Sequence, residues 1–255
     1  MLIDSHAHLD DEKFDEDREQ VIESLKKSGI DLIINPGSDL NTSIKAVSLA
    51  QKHENIYAAV GVHPHSAAEM DYSTLDILKS FARRDKVVAI GEIGLDYYYD
   101  NSPRDIQRKW FREQLNLAKE VGLPVIIHSR DAAGDTFQIL KEAQDGRLIG
   151  VMHCYSSSVE MALEYIKLGF YISLAGPVTF KKSKTSKEVA KVVPLDRLLI
   201  ETDSPYMAPE PYRGRRNEPK YVKYVAETIA ELRGISFEEL AEKTSENAKK
   251  LFRIK

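Results

Sequence analysis

AIGEIGLD, residues 89–96, is a short apolar run that closes on polar side chains. The same form recurs in IDSHAHLD (3–10), VIIHSR (125–130), GVMHCYS (150–156) and LLIETDSPY (198–206). In each, a side chain able to bind a metal stands where the apolar run ends: Glu92, His6 and His8, His128, His153 and Asp203. The apolar period alternates between strand-like and helix-like along the whole chain. It predicts strands at roughly 2–8, 31–36, 56–62, 87–93, 124–128, 149–154, 170–174 and 198–202. It predicts helices at roughly 15–28, 41–53, 73–84, 103–121, 132–144, 158–168, 185–192, 219–233 and 236–252. Gly29, Gly122 and Gly169 fall where helices should stop, and Pro103 and Pro219 suit first-turn positions. Eight strands alternating with helices predict parallel βαβ units, and the count of eight favours closure as a TIM (β/α)8 barrel. Such barrels take about 250 residues; this chain has 255 and is expected to form one domain, 1–255.

Composition narrows the class further. Hydrophobic residues make up 42% of the chain, enough for one sizeable core, and no run approaches membrane-span length. The N-terminus lacks a basic region followed by an apolar one, so no secretory leader is expected. The single cysteine, Cys154, excludes an intramolecular disulfide and suits a reducing cytoplasm. A formal net charge of −4 means that any polyanion site is a local patch.

Strand alternation predicts that His6 and His8 share a face, as do Glu201 and Asp203, and Val88, Ile90 and Glu92. In barrel enzymes the C-terminal strand ends carry the catalytic groups, so six ligands should meet at one mouth. Four imidazoles and two carboxylates suit Zn²⁺, Mn²⁺ or another borderline divalent ion. Six ligands exceed the set of one open catalytic zinc. They suit two ions about 3.5–4 Å apart with a shared carboxylate, for which Glu92, on the middle strand of the set, is the natural bridge. Such ions lower the pKa of water near neutral pH, and Asp203 is the natural acceptor of that water's proton. Glu92 and Asp203 are therefore the catalytic candidates. One histidine at a strand end is commonly structural, and HxH alone is a weak signal. The weight lies in six residues at matching places of the repeat. Structural zinc sites are usually closed four-ligand sites, often with cysteine, which argues against a purely structural ion.

HAH, GEIGLD, IIHSR, MHCYS and ETDSPY in this order resemble the TatD-type deoxyribonucleases, a branch of the amidohydrolase-like metal hydrolases. The resemblance runs from IDSHAHLD to SENAKKLF (245–252) and takes in GVHPH (61–65) and RGRRNEP (213–219). It implies a TIM barrel and one or two divalent ions, among Zn, Mn, Mg, Ni and Fe. It would place one ion among His6, His8, Glu92 and Asp203, and the other among Glu92, His128 and His153. Glu92 stands where many relatives outside this branch use a carboxylated lysine. The resemblance implies 3′→5′ exonuclease action on DNA ends. Many members are assigned only as metal-dependent hydrolases, and some relatives as D-aminoacyl-tRNA deacylases. The alternative is thus ester or amide hydrolysis, with tRNA as a substrate.

Other residues bear on the substrate. Lys181, Lys182, Lys184 and Lys187 follow the seventh strand, and Arg213, Arg215 and Arg216 the eighth. Loops there often bind phosphate in barrels, although solvated loops look the same in sequence. His63 follows the third strand, and Arg130 follows His128 by two. Tyr97, Tyr98, Tyr99, Tyr155 and Phe180 offer stacking faces or ordinary packing. His63, Arg130, Tyr155, Arg213 and Arg215 are the substrate-contact candidates, while His65 is expected to face solvent or cap its loop. Asp4 and Glu201, two residues before a ligand, are expected to orient imidazoles or hold basic groups below the metals. Cys154 alternates away from His153 and should face the helix layer. No membrane contact and no obligatory protein partner are inferred.

Overall fold

The computed structural model describes residues 1–254. In chain order the elements are β1 (Leu2–Asp4), α1 (Arg18–Ser24), β2 (Ile30–Pro36), α2 (Leu40–Lys52), β3 (Ile56–Val60), α3 (Tyr72–Ala82), β4 (Val87–Asp96), α4 (Arg104–Val121), β5 (Val125–Arg130), α5 (Ala133–Ala143), β6 (Gly150–Met152), α6 (Val159–Lys167), β7 (Phe170–Leu174), α7 (Lys184–Val192), β8 (Leu198–Ile200), α8 (Val222–Arg233) and α9 (Phe237–Phe252). The strands form one eight-stranded sheet in the order β1 to β8. The paired strands run parallel. This is the (β/α)8 barrel fold that the alternation predicts.

Backbone packing groups the chain into two compact units. One holds Met1–Asn35, Cys154–Ile166 and the described residues from Tyr171 on; the other holds Pro36–His153 and Lys167–Phe170.

In the second unit, all ten residues of β4 are buried, as expected of a parallel strand covered on both faces. Its register against β5 shifts between Ile90 and Ile93, after which Gly94 pairs with His128 and Asp96 with Arg130. Gly94 has φ +145°, and a Cβ there would lie 2.0 Å from the His128 carbonyl oxygen. Only glycine allows that approach, so the second glycine of GEIGLD sets the strand spacing beside His128. Helix α4 buries Gln107, Trp110, Phe111, Gln114, Leu115, Leu117 and Ala118, a stripe at helical period. Its two glutamines act as clamps. Gln114 Oε1 accepts from the Val62 N–H at 2.7 Å, and its Nε2 donates to the Val62 carbonyl at 3.0 Å. Gln107 Oε1 accepts from the Asp96 N–H at 2.9 Å, and its Nε2 donates to the Asp96 and Ser102 carbonyls at 3.1 and 2.8 Å. The helix stops at Gly122, left-handed at φ +71°.

In the first unit, β1 pairs with β2 and β7 with β8. Beyond the strand ends the backbone stays tied: Asp203 N–H donates to the His6 carbonyl at 2.9 Å, and His8 N–H to that of Ser204 at 2.7 Å. Asn217 Nδ2, from the RGRRNEP stretch, donates to the Thr202 and Tyr206 carbonyls at 2.8 and 2.7 Å, holding the loop after β8. Four expected strands are shorter than predicted, β1 ending at Asp4, β3 at Val60, β6 at Met152 and β8 at Ile200. His6, His8, His153 and Asp203 thus sit just past regular pairing, where the backbone bonds one partner at a time. The predicted helix at 15–28 is only α1, flanked by 3-10 turns at Glu12–Phe14 and Lys26–Ser28.

Gln114→Leu leaves a buried N–H and C=O of Val62 without partners. At about 1–3 kcal/mol for each unsatisfied group, denaturant unfolding should show a loss of roughly 2–4 kcal/mol, and a loss under about 0.5 kcal/mol would contradict the clamp.

Candidate metal centre

Each unit holds within itself one group of ligating side chains. In the first unit, His6 and His8 after β1 meet Asp203 after β8. His6 Nε2 and His8 Nε2 lie 3.1 Å apart, and both face Asp203 Oδ1, at 3.7 and 3.6 Å. The His6 and His8 rings meet edge to face. Nitrogens at that separation can both reach one ion at roughly 2.0–2.1 Å, and two nitrogens with a carboxylate form a borderline-metal donor set. Asp203 has φ +57°, a left-handed conformation that aspartate tolerates better than most residues.

Behind this group, Asp4 accepts from the Thr202 N–H at 2.9 Å, the Thr202 hydroxyl at 2.6 Å and the His6 N–H at 3.3 Å. Burial pushes its carboxyl up to about 8, against the pull of those donors. Glu201 accepts from the Cys154 N–H at 2.5 Å and from the Ser5 hydroxyl at 3.3 Å. The bonds of Asp4 therefore run to backbone and a hydroxyl, where the sequence pointed to an imidazole or to a basic group below the metals. It links the end of β1 to the segment after β8.

In the second unit, three imidazoles converge on one carboxylate oxygen. Glu92 Oε1 lies 2.9 Å from His128 Nδ1, 3.0 Å from His153 Nε2 and 3.5 Å from His63 Nε2. The other nitrogen of His128, Nε2, lies 3.1 Å from Asp96 Oδ2, which also meets His65 Nε2 at 3.0 Å. Burial alone would raise the Glu92 carboxyl, but His153, His63 and His128 outweigh it and hold it well below the usual carboxylate range. Burial and the neighbouring His128 depress the His63 imidazole and favour its neutral form, and its Nδ1 accepts from the His65 N–H at 3.2 Å. Burial would lower His128 too, yet Asp96 and Glu92 raise it. A buried anionic oxygen ringed by three imidazoles fits a divalent ion in donor type and in charge.

Of the sequence candidates, His6, His8 and Asp203 come together in one group, and Glu92, His128 and His153 in the other. His63, expected at the substrate, lies among the ligand atoms of the second group. Asp96 was not singled out, although it ends GEIGLD and shares the alternation of Glu92. His65, expected to face solvent or cap its loop, reaches Asp96. Tyr155 is 6% exposed, and its hydroxyl donates to the Ser158 carbonyl at 2.7 Å, so its ring packs inside the fold. Arg216 forms an ion pair with Asp17 at 2.6 Å and lies over Phe14, so its guanidinium is engaged within the fold. Arg213 lies over the Phe180 ring, and Arg215 is exposed. Cys154 was expected to face the helix layer. Its φ of +42° ends the alternation, and Sγ instead lies 3.8 Å from Met207 Sδ.

Glu92→Gln removes the charge on which three imidazoles converge. Metal affinity of this group should fall by more than about 100-fold in calorimetry, beyond the usual 10–100-fold effect of an outer-shell change. Ligating histidines must be neutral, and His128 binds its proton more tightly than an ordinary imidazole. Affinity should therefore weaken as pH falls through neutrality. A flat response between about pH 8 and pH 6 would contradict the assignment of His128 as a ligand.

The comparisons agree with this donor chemistry. The family model described as TatD related DNase matches residues 3–253. The chain is 53% identical, over the full length of both proteins, to the uncharacterized metal-dependent hydrolase YabD of Bacillus subtilis. It is 34% identical to the 3'-5' ssDNA/RNA exonuclease TatD of a Rahnella strain, covering 97% of this chain and 96% of the relative. The crystal structure of YJJV, a TatD homologue from Escherichia coli K12, superposes with a TM-score of 0.94 at 32% identity, covering 100% of this chain and 98% of that one. Matched over nearly every residue, and carrying imidazole and carboxylate groups at the ends of its strands, this chain belongs to the TatD related DNase family of metal-dependent hydrolases.

Proposed function

We propose that residues 1–255 act as one deoxyribonuclease domain that removes nucleotides from the 3′ end of DNA by hydrolysis of phosphodiester bonds. The observation that carries this reading is the convergence of three imidazole nitrogens on the buried Glu92 carboxylate. The 3'-5' ssDNA/RNA exonuclease activity named for the Rahnella relative supports the choice of a phosphodiester over an acyl ester. His6, His8 and Asp203 would hold one divalent ion, and Glu92, His128, His153 and His63 another. When bound, such ions supply Lewis acidity toward a phosphoryl oxygen and toward water.

The chain's own residues do the rest. Asp203 takes the proton of the attacking water, whose oxygen bonds to phosphorus as the bond to the 3′ oxygen breaks. The released 3′ oxygen takes up a proton, leaving a shortened strand and a nucleoside 5′-monophosphate. Arg213 and Arg215, exposed in the loop after β8, draw in the phosphate backbone. Among the described residues no helix is long and apolar enough to cross a membrane, and the lone Cys154 suits a cytoplasmic setting.

Purified protein loaded with Mn²⁺, Mg²⁺ or Zn²⁺ should release mononucleotides from 5′-labelled single-stranded DNA as a descending ladder. Asp203→Asn should slow this by about 10²–10⁴-fold. Intact DNA under all three metals, with discharge of a D-aminoacyl-tRNA by the same preparation, would replace this reading with ester hydrolysis.

A further inference from the structure

Tyr98, Tyr99 and Arg130 have no part in holding an ion or packing the core, yet they are built onto the second ligand group. Tyr98 and Tyr99 are 57% and 55% exposed, an unusual amount of bare aromatic surface for two successive residues. Their rings meet edge to face at 4.9 Å, and the Arg130 guanidinium lies 4.0 Å from one centroid and 4.9 Å from the other. Neither phenol hydroxyl is hydrogen-bonded, and Arg130 makes no ion pair among the described residues. By contrast, Arg104, Arg108 and Arg112 nearby are each matched to a carboxylate. Arg130 thus keeps its N–H donors for something outside the fold.

The platform is rigidly placed. Asp96 Oδ1 accepts from the Tyr98 and Tyr99 N–H groups at 3.0 and 2.9 Å, while Oδ2 of the same carboxylate meets His128. The Tyr97 N–H donates to the Arg130 carbonyl at 2.9 Å, and Asp96 pairs in register with Arg130. One carboxylate therefore joins the platform to an imidazole that faces Glu92. A ligand seated here stands in a fixed relation to that group, which is what positioning for reaction requires.

We propose that Tyr98, Tyr99 and Arg130 form a docking subsite for an unpaired nucleotide of single-stranded DNA. The base stacks on a tyrosine face, and the guanidinium takes the phosphate. Exposed ring surface beside a guanidinium that makes no ion pair among the described residues suits a base next to a phosphate; in a duplex the base faces are already stacked. The inference rests on the nuclease reading above and names where the strand is held.

The test measures binding of the metal-loaded full chain to two labelled strands that resist cleavage through phosphorothioate links: oligothymidylate and an abasic strand of equal length. Wild type should prefer the strand with bases. Tyr98→Ala with Tyr99→Ala should bind oligothymidylate about tenfold more weakly and lose that preference, while Tyr98→Phe with Tyr99→Phe keeps it. Arg130→Gln should lower the salt slope of binding by about 0.7, one phosphate contact on a single strand. A double alanine variant that retains the base preference overturns the proposal. So does an equal loss on both strands, as a disturbed fold would give. If wild type digests ordinary DNA while the alanine variant keeps its base preference, this subsite falls and the nuclease reading stands. If ordinary DNA stays intact yet base preference depends on the two rings, the reverse holds.

Discussion

Glu92 holds a negative charge inside the protein, where burial opposes it. An isolated buried carboxylate would be driven to its neutral form. Here three imidazole nitrogens lie within 3.5 Å of one oxygen, and the net pull is toward the anion. The arrangement is stable only if those imidazoles are held in place, and much of the second unit does that. His63 follows the Val62 backbone gripped by Gln114. His128 lies on a strand that approaches β4 through the missing side chain of Gly94. Asp96, held by Gln107, meets the far nitrogen of His128.

Helix α4 therefore does more than cover the sheet. A leucine at position 107 or 114 would continue its apolar stripe, but each glutamine amide instead supplies a donor and an acceptor to backbone at or just past a strand end, Asp96 for Gln107 and Val62 for Gln114. Where a parallel strand ends, its peptide groups lose their partners and must find others. Side-chain amides supply them there. The same need is met in the first unit by Asn217 and by Asp4, which bond the segment after β8. Polar residues that look like candidate chemistry in a sequence thus divide into two kinds: those that face the ligand groups and those that hold the backbone carrying them.

That division explains what was legible in advance. The fold class followed from apolar runs closing on metal-ligating residues, because both strand pairing and the C-terminal placement of chemistry are periodic. Local spacing places His6, His8, Glu92, His128, His153 and Asp203 at strand ends; their division into two sets, with Glu92 in both, is implied only by the family resemblance. That Tyr155 is buried and that Arg216 pairs with Asp17 was not legible, since burial and partner choice depend on residues distant in sequence. No local pattern brings His63 to Glu92, and Asp96, which shares the alternation of Glu92, carries no signal that separates it from an ordinary strand-end carboxylate.

By itself the sequence determined the alternation of strands and helices, the ligand residue types and their places at strand ends, because each is written in a local period of two or 3.6 residues. Only the tertiary structure decided that His63 turns to Glu92, that Asp96 ties His128 to the exposed tyrosines, and that Arg130 makes no ion pair among the described residues while Arg104, Arg108 and Arg112 each meet a carboxylate. Those outcomes depend on how far apart two strands can pack and on which long side chain reaches which carboxylate. No local pattern encodes either.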